Sequence, residues 1–472
     1  MVHLYKYCIR LTFTANRAVL DGPQMNIIII GAGNVGSTIA GVLSSAHDIL
    51  MIESDSGTSE SAKVSLNVSV IHGNGVNPKV IEEAVSRHSA DVIIAAMPSD
   101  ENNLFACMAA KNSKPHIKTV AKVCNPDFII SMNDGTYLGA DQIISPELTS
   151  AKKLANIAIL ENAVDHDEIE GLGLAAAIFL VTDLHRNIVD HPLADIKVPD
   201  DCAVVAVYRN NEVLLLNEDA EIRTGDLLCV LGTSAAIYDF NRMMGVVRES
   251  KDIIILGGGI IGSNAAKALV REKRSVKIIE KKAERCEQLV KELSNVLVVS
   301  ADGVDPNLLR NENVGKADVL ICATDSDEKN LLACLVARDL GTMKVVSRYS
   351  KREYEDVFNV TGIKTIVGYH RLIANEVTKS LVSDEKSIMK MRHDGETLFS
   401  VTVKGDSKLR RSLISDLRLP EGAKAVCIIR NGKALFPKPD ARIEENDDLL
   451  LFAYKANMHK VEKIIGTRMT DV

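Results

Sequence analysis

Between residues 25 and 164 the chain places short, mostly apolar runs between longer stretches in which apolar and polar positions mix at helical spacing. The runs at 27–30, 49–52, 69–71, 92–95 and 119–123 are rich in Ile and Val, so each predicts a short strand. Strands that alternate with helices predict a parallel, doubly wound sheet. The stretch 146–164 predicts a helix leading out of it. From about 165 to 247 the pattern changes. Runs at 174–181, 204–208 and 227–231 are separated by turn residues, which predicts a small α+β unit.

Both patterns then return. The run before Gly31 reappears before Gly257, at an offset of about 226. Residues 90–104, from Ala90-Asp91 through Ser99-Asp100-Glu101-Asn102-Asn103-Leu104, reappear as 317–331, from Ala317-Asp318 through Ser326-Asp327-Glu328-Lys329-Asn330-Leu331. In the smaller unit Asp195, Pro199, Arg209 and Asp226 line up with Asp416, Pro420, Arg430 and Asp447. A period this long is a duplicated domain pair, since solenoid units run about 20–50 residues. The predicted order is an extension at 1–24, a first large domain at 25–164, a first small one at 165–248, a second large one at 249–384 and a second small one at 385–472. The extension reads either as a misplaced start ahead of Met25 or as a tail.

Composition narrows the function classes. A net charge of −7 without any long basic block argues against direct nucleic-acid binding. The longest apolar run, 172–181, falls short of the roughly 18 residues of a membrane span. Nine cysteines without Cys-x-x-Cys spacing, several inside apolar runs, read as reduced core residues of a cytosolic protein.

The first strand breaks into Gly31-Ala32-Gly33-Asn34-Val35-Gly36 and continues as a helix. In such a Gly-x-Gly-x-x-Gly turn the first glycine permits the turn, the second admits a pyrophosphate, and the third lets helix and strand pack closely. The helix N-terminus adds partial positive charge. Glu53 ends the second strand about 20 residues on, where a carboxylate can accept from ribose hydroxyls. The second copy reads Gly257-Gly258-Gly259-Ile260-Ile261-Gly262, with Glu280 as the acid. The carboxyl ends of the other strands bring His72-Gly73-Asn74-Gly75, Met97-Pro98 and Lys122 to the same crevice.

This combination resembles the RCK (or KTN) domains that regulate potassium transport. The residues that carry the resemblance are Gly-Ala-Gly-x-Val-Gly, the Ser-Asp-Glu-x-Asn-Leu helix start, and Pro…Val-Val-Ala-Val-x-Arg…Gly-Asp of the small unit, over 25–465. The resemblance implies two Rossmann-like α/β domains, each followed by an RCK C-terminal α+β domain. It implies NAD(H) and adenine nucleotides (ATP/ADP) as ligands. It further implies a homo-oligomer, a tetramer forming a ring, that sits in the cytoplasm on the inner face of the membrane. There it would be docked on a membrane-embedded Trk potassium-translocating subunit.

By the same resemblance the contacts fall on Gly31, Ala32, Gly33, Asn34, Val35, Gly36, Glu53, Asn74, Gly75, Met97, Pro98 and Lys122 in the first half. In the second they fall on Gly257, Gly258, Gly259, Ile260, Ile261, Gly262, Glu280, Asp302, Gly303, Thr324, Asp325 and Arg348. The first site departs from the pattern with apolar Met97-Pro98 and with Lys122, which lacks arginine's bidentate fork. Glu53 is followed by Ser54-Asp55, an acidic rim that should reject a 2′-phosphate. Glu280 is followed by Lys281-Lys282, so the second site should discriminate less. The alternative is an NAD-dependent oxidoreductase with the small unit as substrate domain. It would need an acid/base group near the nicotinamide, and the candidates are His72, His116, His185, His191 and His393. No metal-ligand spacing is present.

Overall fold

A computed structural model describes residues 24–125, 128, 137–169, 172–209, 212–214, 221–245, 249–351, 353–381, 387–390, 396–403, 407, 409–420, 422–436, 441–454 and 457–465. The expected extension at 1–24, apart from Gln24, and His393 lie outside these residues. The described chain divides into two compact units: 24–145 with 373–381, and 146–372 with 387–465.

The first unit is built on β1 (Asn26–Ile30), β2 (Asp48–Glu53), β3 (Ser69–His72), β4 (Val92–Ala95), β5 (Lys118–Lys122) and β6 (Gln142–Ile144). They form one parallel sheet in the order β3-β2-β1-β4-β5-β6. Its centre is β1, where Ile27 to Ile30 are at most 1% exposed because β2 and β4 flank them and helices cover both faces. Strand order reverses between β1 and β4, which leaves a crevice beyond their carboxyl ends. β6 was not anticipated, since three residues are too few to show a period. Helix residues 373–381 belong to this unit. Ser145 N–H donates to Glu376 at 2.8 Å, and the Lys118 ammonium donates to the Leu381 carbonyl at 3.4 Å.

In the second unit the helix Pro146–Ile159 stops short of the expected end at 164. Residues 163–169 instead form β7 (Ala163–Ile169), the edge strand of an antiparallel sheet with β8 (Leu174–Leu180), β9 (Cys202–Arg209), β10 (Glu212–Leu214) and β11 (Leu227–Thr233). Their polar character hid the strand, because an edge strand needs only one apolar face. The Pro146–Ile159 helix packs on strand Lys344–Tyr349, where the Lys344 ammonium donates to the Ile157, Leu160 and Ala163 carbonyls at 2.6, 2.7 and 2.7 Å. Lys344 thereby serves the Ile157 carbonyl in the last turn of the helix, which has no partner within it, together with the carbonyls of Leu160 just beyond and of Ala163 at the start of β7.

The second parallel sheet repeats the first: β12 (Asp252–Leu256), β13 (Ser275–Glu280), β14 (Val296–Ser300), β15 (Val319–Cys322), β16 (Lys344–Tyr349) and β17 (Ile366–Gly368), in the order β14-β13-β12-β15-β16-β17. A last antiparallel sheet holds β18 (Ser387–Lys390), β19 (Glu396–Thr402), β20 (Ala423–Arg430), β21 (Lys433–Leu435) and β22 (Asp448–Tyr454). The two small sheets share one core, with Ile178, Tyr208 and Leu231 against Leu398, Val426, Leu450 and Phe452. In each, an arginine grips a buried aspartate with two hydrogen bonds. Arg209 holds Asp226 at 2.7 Å twice, and Arg430 holds Asp447 at 2.7 and 2.8 Å. The fold is therefore mixed α/β, two Rossmann-like sheets with a smaller antiparallel sheet after each.

Candidate functional site

The three glycines of each turn are there for three different reasons. Gly31 and Gly257 have φ of +96° and +99°, a left-handed backbone that favours glycine. At Gly36 and Gly262 a Cβ would stand 1.9 Å from the carbonyl oxygen of Gly31 and Gly257, so close helix packing excludes any side chain. Gly33 and Gly259 have ordinary φ near −66°, and a Cβ there would meet nothing within 4 Å. Neither backbone conformation nor packing requires glycine at these two positions, so their smallness leaves space over the helix N-terminus. Both helices, Asn34–Leu43 and Ile260–Arg271, begin without a side-chain cap and without an acid in the first turn. Their first N–H groups are thus left for an anion. The side chains of Val35 and Ile261 are buried under the helix, while Asn34 and Ile260 are exposed at its mouth.

The strand-terminal acids are tied to the glycine turns. Glu53 accepts from Ala32 N–H at 2.7 Å and Asp55 N–H at 2.8 Å; Glu280 accepts from Gly258 N–H at 2.7 Å and Lys282 N–H at 2.8 Å. Burial pushes the Glu53 carboxyl up, but the backbone N–H groups of Asp55, Ala32 and Ser54 outweigh it and hold the group below the usual carboxylate range. Each acid therefore fixes its turn, and Glu53 remains charged at the crevice. Asp55 caps the helix Ser56–Ser65 by accepting from Thr58 N–H at 2.7 Å.

Gly75 and Gly303 close against the first strand of each sheet. A Cβ would fall 2.1 Å from Ile30 Cγ2 and 3.0 Å from Leu256 Cδ2. Asn74 accepts from Val76 N–H, and Asp302 pairs with Lys281 at 2.8 Å. Lys281, which the sequence places toward a 2′-phosphate, therefore shares its charge with Asp302 on an exposed turn. Met97 and Thr324 follow the fourth strands, next to the glycine turns; Pro98 and Asp325 are exposed beyond them.

Lys122 is only 6% exposed, its ammonium 3.2 Å from Cys124 Sγ, so it is no solvated surface lysine. Arg348 lies over the Tyr369 ring, 5.2 Å from its centroid, and donates to Ser350. Burial lowers its pKa, opposed by the charges of Asp327, Tyr369, Asp325 and Glu147.

Two residues of the site wall were read from sequence only as part of a helix start. Asp100 accepts from Cys124 and Asn125 N–H at 2.8–3.0 Å, and Asp327 accepts from Ser350 and Lys351 N–H at 2.9 Å. Each pins the segment that follows the fifth strand. The signal was the recurrence of the whole Ser-Asp-Glu-x-Asn motif, which a helix cap alone does not require.

His72 ends β3 beside Glu53 at the rim of the crevice, while His116, His185 and His191 lie elsewhere. His185 is buried in the small unit, accepting from Thr182 N–H at 2.9 Å with Asn162 Oδ1 at 3.1 Å from its other ring nitrogen. His191 pairs with the Val189 carbonyl and His72 with that of Ser54, while His116 is exposed. No helix among the described residues is long and apolar enough to cross a membrane.

Residues 27–146 and 253–368 match the TrkA-N domain, and 177–245 and 398–466 match the TrkA-C domain. The chain is 31% identical to Trk system potassium uptake protein TrkA homolog 2 of Methanosarcina mazei, over 93% of this chain and 100% of that protein. It is 32% identical to the TrkA homolog of Archaeoglobus fulgidus, over 93% and 100%, and 26% identical to TrkA of Halomonas elongata, over 94% and 100%. Among solved structures, the GsuK RCK domain superposes with a TM-score of 0.62 at 19% identity, covering 95% of this chain and 96% of that one. The GsuK channel bound to NAD gives 0.62 at 19%, covering 95% and 80%. At these identities the structural likeness is one of fold, whereas the sequence matches alternate both domain types twice along nearly the whole chain: it belongs to the TrkA family.

Proposed function

We propose that this chain is a non-enzymatic, nucleotide-sensing regulatory subunit of a potassium uptake system. It binds NAD(H), and adenine nucleotides in competition, at the two glycine-rich turns, and it works in the cytoplasm on a membrane-embedded Trk potassium-translocating subunit. The residues that hold the nucleotide are those predicted from sequence, in the four-domain partition given there. The relatives' names as potassium uptake proteins support the process. The observation that carries the nucleotide reading is the pair Gly33 and Gly259, two glycines that the protein's own backbone and packing do not require. Space over an uncapped helix N-terminus, kept twice in one chain, suits a pyrophosphate.

A sensor needs only differential affinity, because a ligand shifts a conformational equilibrium by the difference in its binding to the two states. Swinging a two-state assembly from 1:99 to 99:1 takes about 5.5 kcal/mol. A tetramer with eight such turns needs less than about 1 kcal/mol from each, modest for a charge-assisted clamp. The buried, hydrogen-bonded His185 supports a structural role for the small unit over a hydride-transfer site.

The test is calorimetric titration of the full chain with NADH and ADP, followed by rubidium flux through vesicles that hold a Trk membrane subunit with and without the chain. Binding at two sites per chain and nucleotide-dependent flux are expected. Sustained NADH oxidation with a carbonyl substrate, or flux indifferent to the chain, overturns the proposal.

A further inference from the structure

Beyond the last ladder partners of the fourth and fifth strands, Ala95↔Ala121 and Cys322↔Ser347, one side chain in each half holds the strand exits together. Asn103 accepts from Met97 N–H at 2.8 Å and donates to the Met97 and Lys122 carbonyls at 3.0 and 2.8 Å. Asn330 accepts from Thr324 N–H at 3.1 Å and from its hydroxyl at 2.6 Å, and donates to the Thr324 and Arg348 carbonyls at 3.1 and 3.2 Å. Both asparagines are fully buried. At Asn330 two amide N–H groups and two oxygen acceptances are all used, the full capacity of the side chain. Neither amide is exposed to a ligand.

We propose that Asn103 and Asn330 are positioning residues for phosphate recognition: each sets the backbone from which Lys122 or Arg348 reaches the crevice. This rests on the nucleotide reading above and adds the group that aims its cations. Helix capping does not explain the amides, because Ser99 and Ser326 already cap by accepting from Asn102 and Lys329 N–H. Packing does not either, since an apolar residue would fill the space without spanning two strands. A cation displaced by about 1 Å loses much of its effect on a bound phosphate, while the ribose-end acids Glu53 and Glu280, which neither asparagine touches, are left in place.

The test uses the full chain with Asn103→Ala and Asn330→Ala together, so that both sites respond alike. ADP and adenosine are titrated into wild type, this variant, a Lys122→Gln/Arg348→Gln variant and the fourfold combination. ADP affinity should fall about tenfold in the asparagine variant while adenosine changes less than about twofold, and the fourfold variant should bind ADP no worse than the cation variant. Equal loss for ADP and adenosine, unchanged ADP binding, or additive losses overturn the inference. If the alanine variant does not fold by thermal melt, Asn103→Ser with Asn330→Ser carries the same comparison. Wild-type chain that binds neither ADP nor NADH instead overturns the nucleotide reading itself.

Discussion

Leu289 Cδ1 lies 2.4 Å from the point where a side chain on Gly258 would begin. The first half has Ala32 and Ala62 at the corresponding positions, both buried, so the two copies fill one space with different partitions of volume. Leu289 is itself fully buried and has little room to turn aside. Gly258→Ala should therefore destabilise the second unit by about 1 to 2 kcal/mol. Combined with Leu289→Ala it should cost less than the sum of the two single changes. Denaturant unfolding of the three variants measures both.

Gly33→Ala and Gly259→Ala should separate folding from binding. A Cβ at either position meets nothing, and the backbone there is open to any residue. Reduced chain entropy and the weaker capping preference of alanine nearly offset, so melting should stay within about 1 kcal/mol of wild type. NADH affinity at the altered turn should be lost. Unchanged calorimetric stoichiometry in the double variant would remove the ground for the nucleotide reading.

Discrimination against a 2′-phosphate should hold at both sites. The first has Glu53 and Asp55 at its rim, and at the second Lys281 is matched by Asp302. Asp302→Asn releases that lysine, whose pKa is raised by its hydrogen bond to Asp302. NADPH affinity relative to that for NADH should then rise about twofold to fivefold, the scale of an exposed ion pair. Fluorescence titration in a Gly33→Val background reads the second site by itself; no gain for NADPH contradicts the assignment of Lys281 to the ribose end.

Acid sensitivity of the first unit should follow Glu53. Its folded-state pKa lies below the value of 4.5 for a free glutamate, so its contribution to stability is present above about pH 4.5 and is lost as pH falls through the folded value. Glu53→Gln should be less stable than wild type near pH 7, and the gap should narrow by about pH 3. Thermal melts at the two pH values decide it, and a gap that does not change with pH assigns the loss to packing alone.

Lys344→Met should destabilise the second unit by about 2 to 3 kcal/mol, because the Ile157, Leu160 and Ala163 carbonyls lose the ammonium that joins them, and Leu160 keeps only the N–H of Ala163. Hydrogen exchange should accelerate first in residues 150–160. Protection there equal to wild type would show that the helix end is held by something other than the lysine.

Local order was legible in the chain itself. Short runs such as Ile27 to Ile30, bounded by a glycine turn, read as covered strands, the glycine spacing indicates a strand–turn–helix, and similar stretches more than 200 residues apart indicate a duplicated fold. Even the recurring Arg209 and Asp226, with Arg430 and Asp447, were visible as a pattern, although only the structure shows that they are bidentate pairs. What tertiary structure decided is partnership. An apolar face states that a helix or sheet must be covered, not by which element. The Pro146–Ile159 helix follows the first sheet in sequence yet packs on the second, and residues 373–381 follow the second yet belong to the unit of the first. The glycines lie between the two cases. Their spacing already gave Gly31, Gly33 and Gly36 separate roles, and the positions of their neighbours supply the physical reason for each: a left-handed φ at Gly31, a carbonyl oxygen 1.9 Å from a Cβ at Gly36, and open space at Gly33.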